Sequence, residues 1–283
     1  MFAFLLMVGP LAASPLAVHV SIPPQAYLAE RLGGERVQVR VFVPVGESCE
    51  TFQPRPAHVR ELAGSRLFFS IGVAYESSLL PRIAANFPNL RVVDTTAALR
   101  LREGDACCGD PLHGHGHDPH VWMCPELAVG QAAHMLAALV EADPEGRFFY
   151  EDNFARLVTD LAELRAELDD LLRPYAGRAI FVYHPAFGYF TDAFDLRQVA
   201  IEDHGREPSP RRIAQLIAEA REAGAGVVFV QPAEATRSAE LIAEAIRGRV
   251  VVLDPMRADW SANMREIARA ITDSFREDVA AGL

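Results

Sequence analysis

Four residues, far apart in the chain, carry side chains that ligate divalent cations. Glu50 lies in GESCETFQPRP, after a valine-rich run ending at Val43, and His120 lies in DPHVW. His184 follows AIFVY directly, in YHPAFGYF, and Asp254 follows VVVL directly, in DPMRADW. Open parallel sheets bind ligands beyond the carboxyl ends of their strands. Two imidazoles and two carboxylates in such places make a set suited to Zn2+, Mn2+ or Fe2+. Each residue also has a plainer reading. A histidine after a strand can be a hydrogen-bonded core residue, Asp254-Pro255 a turn or helix start, and Glu50 a solvated loop charge.

A second cluster of ligand types lies between about Arg102 and Pro119. The segment 107–120 reads CCGDPLHGHGHDPH, with His113, His115 and His117 alternating with glycine or following it. Neutral imidazoles bind zinc well, and a Gly-rich backbone fixes no single geometry. This stretch reads either as a collecting site for metal or as a solvated loop. Cys49, Cys107, Cys108 and Cys124 form no CxxC pair. They read as thiols or one disulfide, with thiolate ligation by Cys49 as the alternative.

The elements that must position these residues alternate between strand and helix. Val18–Ile22, Val37–Val43, Leu67–Ser70 and Leu90–Val93 read as strands, with helices at Pro24–Leu32, Arg55–Ala63 and Tyr75–Asn86. The alternation resumes with strands at Ala179–Tyr183, Arg197–Ile201, Val227–Val230 and Val250–Leu253, and helices at Pro210–Ala223, Thr236–Arg247 and Trp260–Phe275. Between the two runs, Pro125 to Leu172 is helical and broken at Pro144. Its second part, from about Glu145, would be about 40 Å long at ~1.5 Å per residue, long enough to serve two lobes. The expected fold is therefore α/β: two parallel-sheet lobes joined by one long rigid helix, with a metal cleft between them. The expected boundaries are residues 18–143 for the first lobe, 144–174 for the linking helix and 175–283 for the second lobe.

Met1 to Ala17 contains no charge and combines a short apolar core with small residues at Ala12, Ala13, Ser14 and Ala17. It reads as a signal peptide over residues 1–17, although no Lys or Arg precedes the apolar run. With no cysteine near the candidate cleavage sites, a soluble exported protein is expected. The formal charge of −11 and the lack of a basic run argue against nucleic-acid binding. No HExxH motif supports a secreted zinc metalloenzyme, the alternative of another class. A binder of an organic solute or metal chelate would need an aromatic- or arginine-rich cleft, which the sequence does not obviously supply.

The segments SIPPQAYLAERLGG, VPVGESCETFQPRP, SIGVAYES, DPHVW, YHPAFGYF, EPSP, VVFVQPAEATRSAE and LDP occur in that order from about Val18 onward. Together they resemble the cluster A-I family, the metal-specific solute-binding proteins of zinc and manganese ABC transporters. The resemblance implies a periplasmic, non-enzymatic, monomeric protein that delivers its ion to an ABC transporter membrane permease and moves little on binding. It places His120, His184 and Asp254 on the second, third and fourth ligands. The first is usually a histidine in a Pro-His-Thr-like segment. Here that segment reads Cys49-Glu50-Thr51, so Glu50 stands in its place. The carboxylate tilts preference toward manganese or iron, and the His-rich loop tilts it toward zinc, which is expected first. Tyr75 and Glu76 are expected to line the cleft or the lobe contact. Affinity is expected to fall below about pH 6, where free histidine gains its proton.

Overall fold

The computed structural model describes residues 14–103, 117–203, 205–232 and 237–280. The first lobe runs β1 (Leu16–Val20), α1 (Pro23–Gly33), β2 (Val37–Val41), α2 (Pro56–Glu61), β3 (Leu67–Ser70), α3 (Glu76–Asn86) and β4 (Arg91–Asp94). Two helices follow, α4 (Pro125–Ala142) and α5 (Arg147–Leu172). The second lobe runs β5 (Ala179–Val182), α6 (Gly188–Ala193), β6 (Arg197–Ala200), α7 (Pro210–Glu222), β7 (Val227–Val230), α8 (Arg237–Ala245), β8 (Arg249–Val252) and α9 (Trp260–Ala280).

Both sheets are parallel and share one topology, β2-β1-β3-β4 and β6-β5-β7-β8. The inner strands β3, β5 and β7 are buried along their whole length and apolar but for Ser70 at the end of β3. A strand covered on both faces needs such a run. In each sheet the strand order reverses beside the first strand, which opens a crevice at the carboxyl ends. His184 lies two residues past the end of β5, and Gln231 directly follows β7, at the crevice of the second sheet.

Helix α5 has 26 residues, close to the expected span. Its buried face is Tyr150, Leu157, Leu161, Leu164, Leu168 and Leu172, at three-, four- and seven-residue steps. It packs on α1 and α4 on one side and on α9 on the other. One continuous apolar cluster runs from Val18 in β1 through Leu164 to Phe275 in α9. Between Asp143 and Arg147 the chain turns sharply. There Asp143 accepts hydrogen bonds from Arg36 (2.7 Å) and Tyr150 (2.7 Å), which tie the start of α5 to the first lobe. A link packed on both sides along its length resists hinge motion.

One boundary differs and one element is added. The first strand begins at Leu16, and Leu16 and Ala17 pair with Val37 and Gln38 of β2. The expected signal boundary at residue 17 thus falls inside a paired strand. Residues 1–13, and with them the apolar leader, lie outside the described residues. The short helix α6 was not expected, because Pro185 and Gly188 in YHPAFGYF read as loop signals.

Candidate metal centre

The loop that carries Glu50 is held from both ends. Val43 continues the edge of the first sheet by donating its N–H to the Ser21 carbonyl (3.1 Å). At the far end, Phe52 is buried edge-on against Phe42 and Tyr75, with ring centroids 5.9 and 5.2 Å away. The Glu50 N–H donates to the Ser48 hydroxyl (3.3 Å). These anchors leave the Glu50 carboxylate aimed into the cleft.

His120 is fixed by the residue two before it. Asp118 Oδ1 accepts both the His120 backbone N–H (2.9 Å) and the ring Nδ1–H (2.8 Å). The ring lies against Trp122, with centroids 5.0 Å apart. Trp122 donates its indole N–H to the Pro255 carbonyl (2.9 Å), and Trp260 donates to the Trp122 carbonyl (2.7 Å). The tryptophans of DPHVW and DPMRADW therefore join the segments bearing His120 and Asp254. His184 Nδ1 donates to Glu202 Oε1 (2.8 Å), and Gln231 Nε2 donates to the His184 carbonyl (3.1 Å).

An ionised carboxylate only accepts, so each Nδ1 bears its proton and each Nε2 faces the cleft. There Glu50, His120 and His184 converge, with one ligand atom from each within 4.8 Å of the others. The two Nε2 atoms are 3.4 Å apart, and Glu50 Oε1 is 3.5 Å from His120 Nε2 and in contact with His184 Nε2. Despite these approaches, the buried Oε1 has no aligned hydrogen-bond donor. Three side chains able to donate electron pairs thus meet around one point. Tetrahedral bonds of about 2.0–2.2 Å place neighbouring ligand atoms roughly 3.3–3.6 Å apart; the His120–His184 and His120–Glu50 spacings match this, and the Glu50–His184 contact must open for both to bind one ion.

Charge in the cleft is strongly coupled. Burial alone would lower the His120 pKa, but Asp118 and then Glu50 raise it to about 9. Burial likewise works against the His184 cation, while Glu202 and Glu50 raise its pKa to about 10. Burial pushes the Glu50 carboxyl up, and the two imidazoles bring it down to about 2.

Asp254 lines the same cavity of about 80 Å³, as do Cys49, Trp122 and Gln231. It is not one of the three that converge; its Oδ1 accepts the Met256 N–H (2.8 Å) at the turn that opens after β8. Cys49 is buried in the cavity wall, also outside that set. His117 is exposed, with Nδ1 3.3 Å from the Arg102 carbonyl. His113, His115, Cys107 and Cys108 lie outside the described residues. Cys124 is buried and donates its thiol to Glu126 (3.1 Å).

Tyr75 and Glu76 depart from expectation. Glu76 is buried at the carboxyl ends of β1 and β3, where it accepts the Ser21 hydroxyl and the N–H groups of Ile71 (3.0 Å) and Gly72 (2.8 Å), and neither residue lines the cavity where the three donors meet. Their role is to brace the ends of β1 and β3. Sequence reasoning missed Asp118 and Glu202. Both carried a signal: Asp118 precedes His120 within DPH, and Glu202 lies just beyond β6, the strand beside that of His184. Replacing Glu202 by glutamine is expected to weaken zinc binding about 10- to 100-fold without unfolding the protein. Chelator competition would measure this, and an unchanged affinity would show that Glu202 does not support the ligand.

A two-lobed α/β protein with histidine and carboxylate donors meeting in a small cleft belongs to the class of metal-binding solute receptors. Residues 18–274 match the family described as zinc-uptake complex component A, periplasmic, and the chain belongs to that family. A crystal structure of ZnuA superposes with a TM-score of 0.87 and 34% identity, covering 92% of this chain and 99% of that one. The high-affinity zinc uptake system protein ZnuA of Yersinia pestis is 25% identical over 275 residues, 89% of this chain and 86% of its own. The manganese-binding lipoprotein MntA of Halalkalibacterium halodurans is 28% identical over 209 residues, 71% of this chain and 66% of its own. The protein is accordingly a metal-binding component of a metal-uptake system.

Proposed function

We propose that the protein captures a single zinc ion through Glu50 Oε1, His120 Nε2 and His184 Nε2 and passes it to the membrane permease of an ABC transporter. The observation that supports this most directly is the convergence of three donors from both lobes, two of their three separations already matching tetrahedral zinc. Asp254, on the cavity wall, is the fourth protein ligand in this reading, reached by a rotation that releases its hold on Met256. The buried cation offsets the cost of bringing carboxylates together in a cleft. A cavity of about 80 Å³ accommodates an ion and its ligands. Organic solutes typically need roughly 300–1,000 Å³.

Glu50 gives the site more oxygen and more negative charge than a histidine would. That favours manganese or iron relative to an all-imidazole site, but two nitrogens keep zinc first. The reading is transport and not catalysis, since the family consists of solute-binding transport proteins. We place the protein in the periplasm as a monomer, with its leader cut before Leu16 so that β1 stays whole. No helix among the described residues is long and apolar enough to cross a membrane.

Elemental analysis of protein purified without chelator, followed by competition between zinc and manganese, tests the reading. One zinc per chain, retained against excess manganese and lost in Glu50→Ala, is expected. Preferential retention of manganese would reassign the metal, and full zinc affinity in Glu50→Ala would remove Glu50 from the ligand set.

A further inference from the structure

The two lobes supply the imidazoles separately, so their spacing depends on what joins the lobes near the site. Arg102 and Asp118 stand together in the first lobe, where the Asp118 N–H donates to the Arg102 carbonyl (3.2 Å). Both reach across to α6, the helix that begins four residues after His184. The Arg102 backbone N–H donates to the Tyr189 hydroxyl (2.9 Å), which itself donates to the Asp118 carbonyl (2.8 Å). The Arg102 guanidinium donates to the Gly188 carbonyl (2.9 Å) and pairs with Asp192. Its Nε lies 3.5 Å from Asp118 Oδ2, while Asp118 Oδ1 holds His120.

Gly188 makes this close packing achievable. A Cβ on that residue would stand 2.9 Å from Arg102 Cζ and Nε, and 2.9 Å from Asp118 Oδ2. A methyl group there would drive the guanidinium and the carboxylate away from α6. The contacts form one unbroken path: α6, Arg102, Asp118, His120.

We propose that Arg102 is a positioning residue for the metal site, clamping Asp118 and through it His120 to α6 of the second lobe. The clamp sets the separation of the His120 and His184 nitrogens before an ion arrives. A site held at bonding distance loses less freedom when it binds, which raises affinity. None of Arg102, Gly188 and Tyr189 lines the cavity where the three donors meet.

The inference rests on the metal-binding reading, and one experiment separates the two. The full chain is titrated with zinc against a chromophoric chelator, as wild type, Arg102→Lys, Gly188→Ala, Tyr189→Phe and the Arg102→Lys/Gly188→Ala double variant. All of these keep the net charge, so an electrostatic effect on the cation cannot mimic the result. Arg102→Lys and Gly188→Ala are expected to weaken zinc by about 10-fold or more, as loss of an outer-shell partner does. The double variant is expected to lose no more than the worse single, because both break one clamp. The visible spectrum of bound Co2+ is expected to shift in both, since the ligand field at His120 changes. Tyr189→Phe, the mildest change, provides the same test if Gly188→Ala fails to fold, with an expected several-fold loss. Variants that bind within twofold of wild type, losses that multiply, or an unchanged Co2+ spectrum would each overturn the clamp. Failure of the wild type to bind zinc would end the metal-binding reading and the clamp with it.

Discussion

Replacing His184 by alanine is expected to lower zinc affinity by on the order of 100- to 1,000-fold. Four-ligand protein zinc sites bind with roughly 10–16 kcal/mol, so one ligand carries about 2.5–4 kcal/mol of it. His184 is the ligand whose loss reaches furthest. Its Nε2 touches Glu50, its Nδ1 holds Glu202, and it is buried at the switch point of the second sheet. Removing the ring leaves both carboxylates facing a cation with only one imidazole beside them. The backbone is not at stake, because Gln231 bonds to the His184 carbonyl and not to its ring. Chelator competition on a variant with wild-type circular dichroism is the check, and an affinity within tenfold of wild type would contradict the ligand assignment.

The second large effect is on pH. Without metal, the imidazoles keep a proton well above the ordinary value of 6.5, up to about 9 for His120 and about 10 for His184. Zinc needs both Nε2 lone pairs, so binding at neutral pH must expel protons. The two Nε2 atoms are 3.4 Å apart and share one acceptor, Glu50, so the first proton opposes the second. Between one and two protons are therefore expected to leave per zinc bound. Affinity should fall by about 10-fold or more per unit as pH drops from 8 to 6. The dependence starts far above the pH 6 expected from free histidine, because Asp118 and Glu202 sit behind the rings. Calorimetry in buffers of different ionisation enthalpy counts the protons, and a count of zero would show neutral imidazoles waiting for the metal.

The same couplings shape the stability of the metal-free protein. The raised histidines contribute stability that is fully present below 6.5 and is lost as pH rises through about 9 to 10. Glu50 contributes stability present above 4.5 and lost as pH falls through about 2. Alkaline solution thus weakens the apo protein while it strengthens zinc binding, so zinc should raise Tm more at pH 9 than at pH 7.

The strand–helix alternation was legible because valine-rich runs and leucine steps of three and four carry periodicity in the sequence itself. The linking helix was legible for the same reason: its leucines fall on one stripe between Pro144 and Gly177. The site was legible in part. Glu50, His120 and His184 come together as the strand-end rule requires, whereas Asp254 shares the cavity with its carboxylate engaged at a turn. Nothing local distinguishes a ligand from a turn carboxylate at an Asp-Pro step; the difference is a side-chain rotation. Glu202 and Asp118 were missed because their partners are imidazole edges that face away from the cavity, a relation set by packing between neighbouring strands and loops. Arg102 was missed for a stronger reason. Its contacts lie 86 to 90 positions away, on a helix that Pro185 and Gly188 disguise as loop.

The central claim is that one ion is held between the lobes by side chains from both. Anomalous diffraction at the zinc edge, on crystals of the chelator-treated protein reloaded with one equivalent of zinc, tests it most directly. A single peak about 2.0–2.2 Å from Glu50 Oε1, His120 Nε2 and His184 Nε2 is the predicted result. A zinc peak elsewhere on the chain, with these three side chains still hydrogen-bonded to one another, would contradict it.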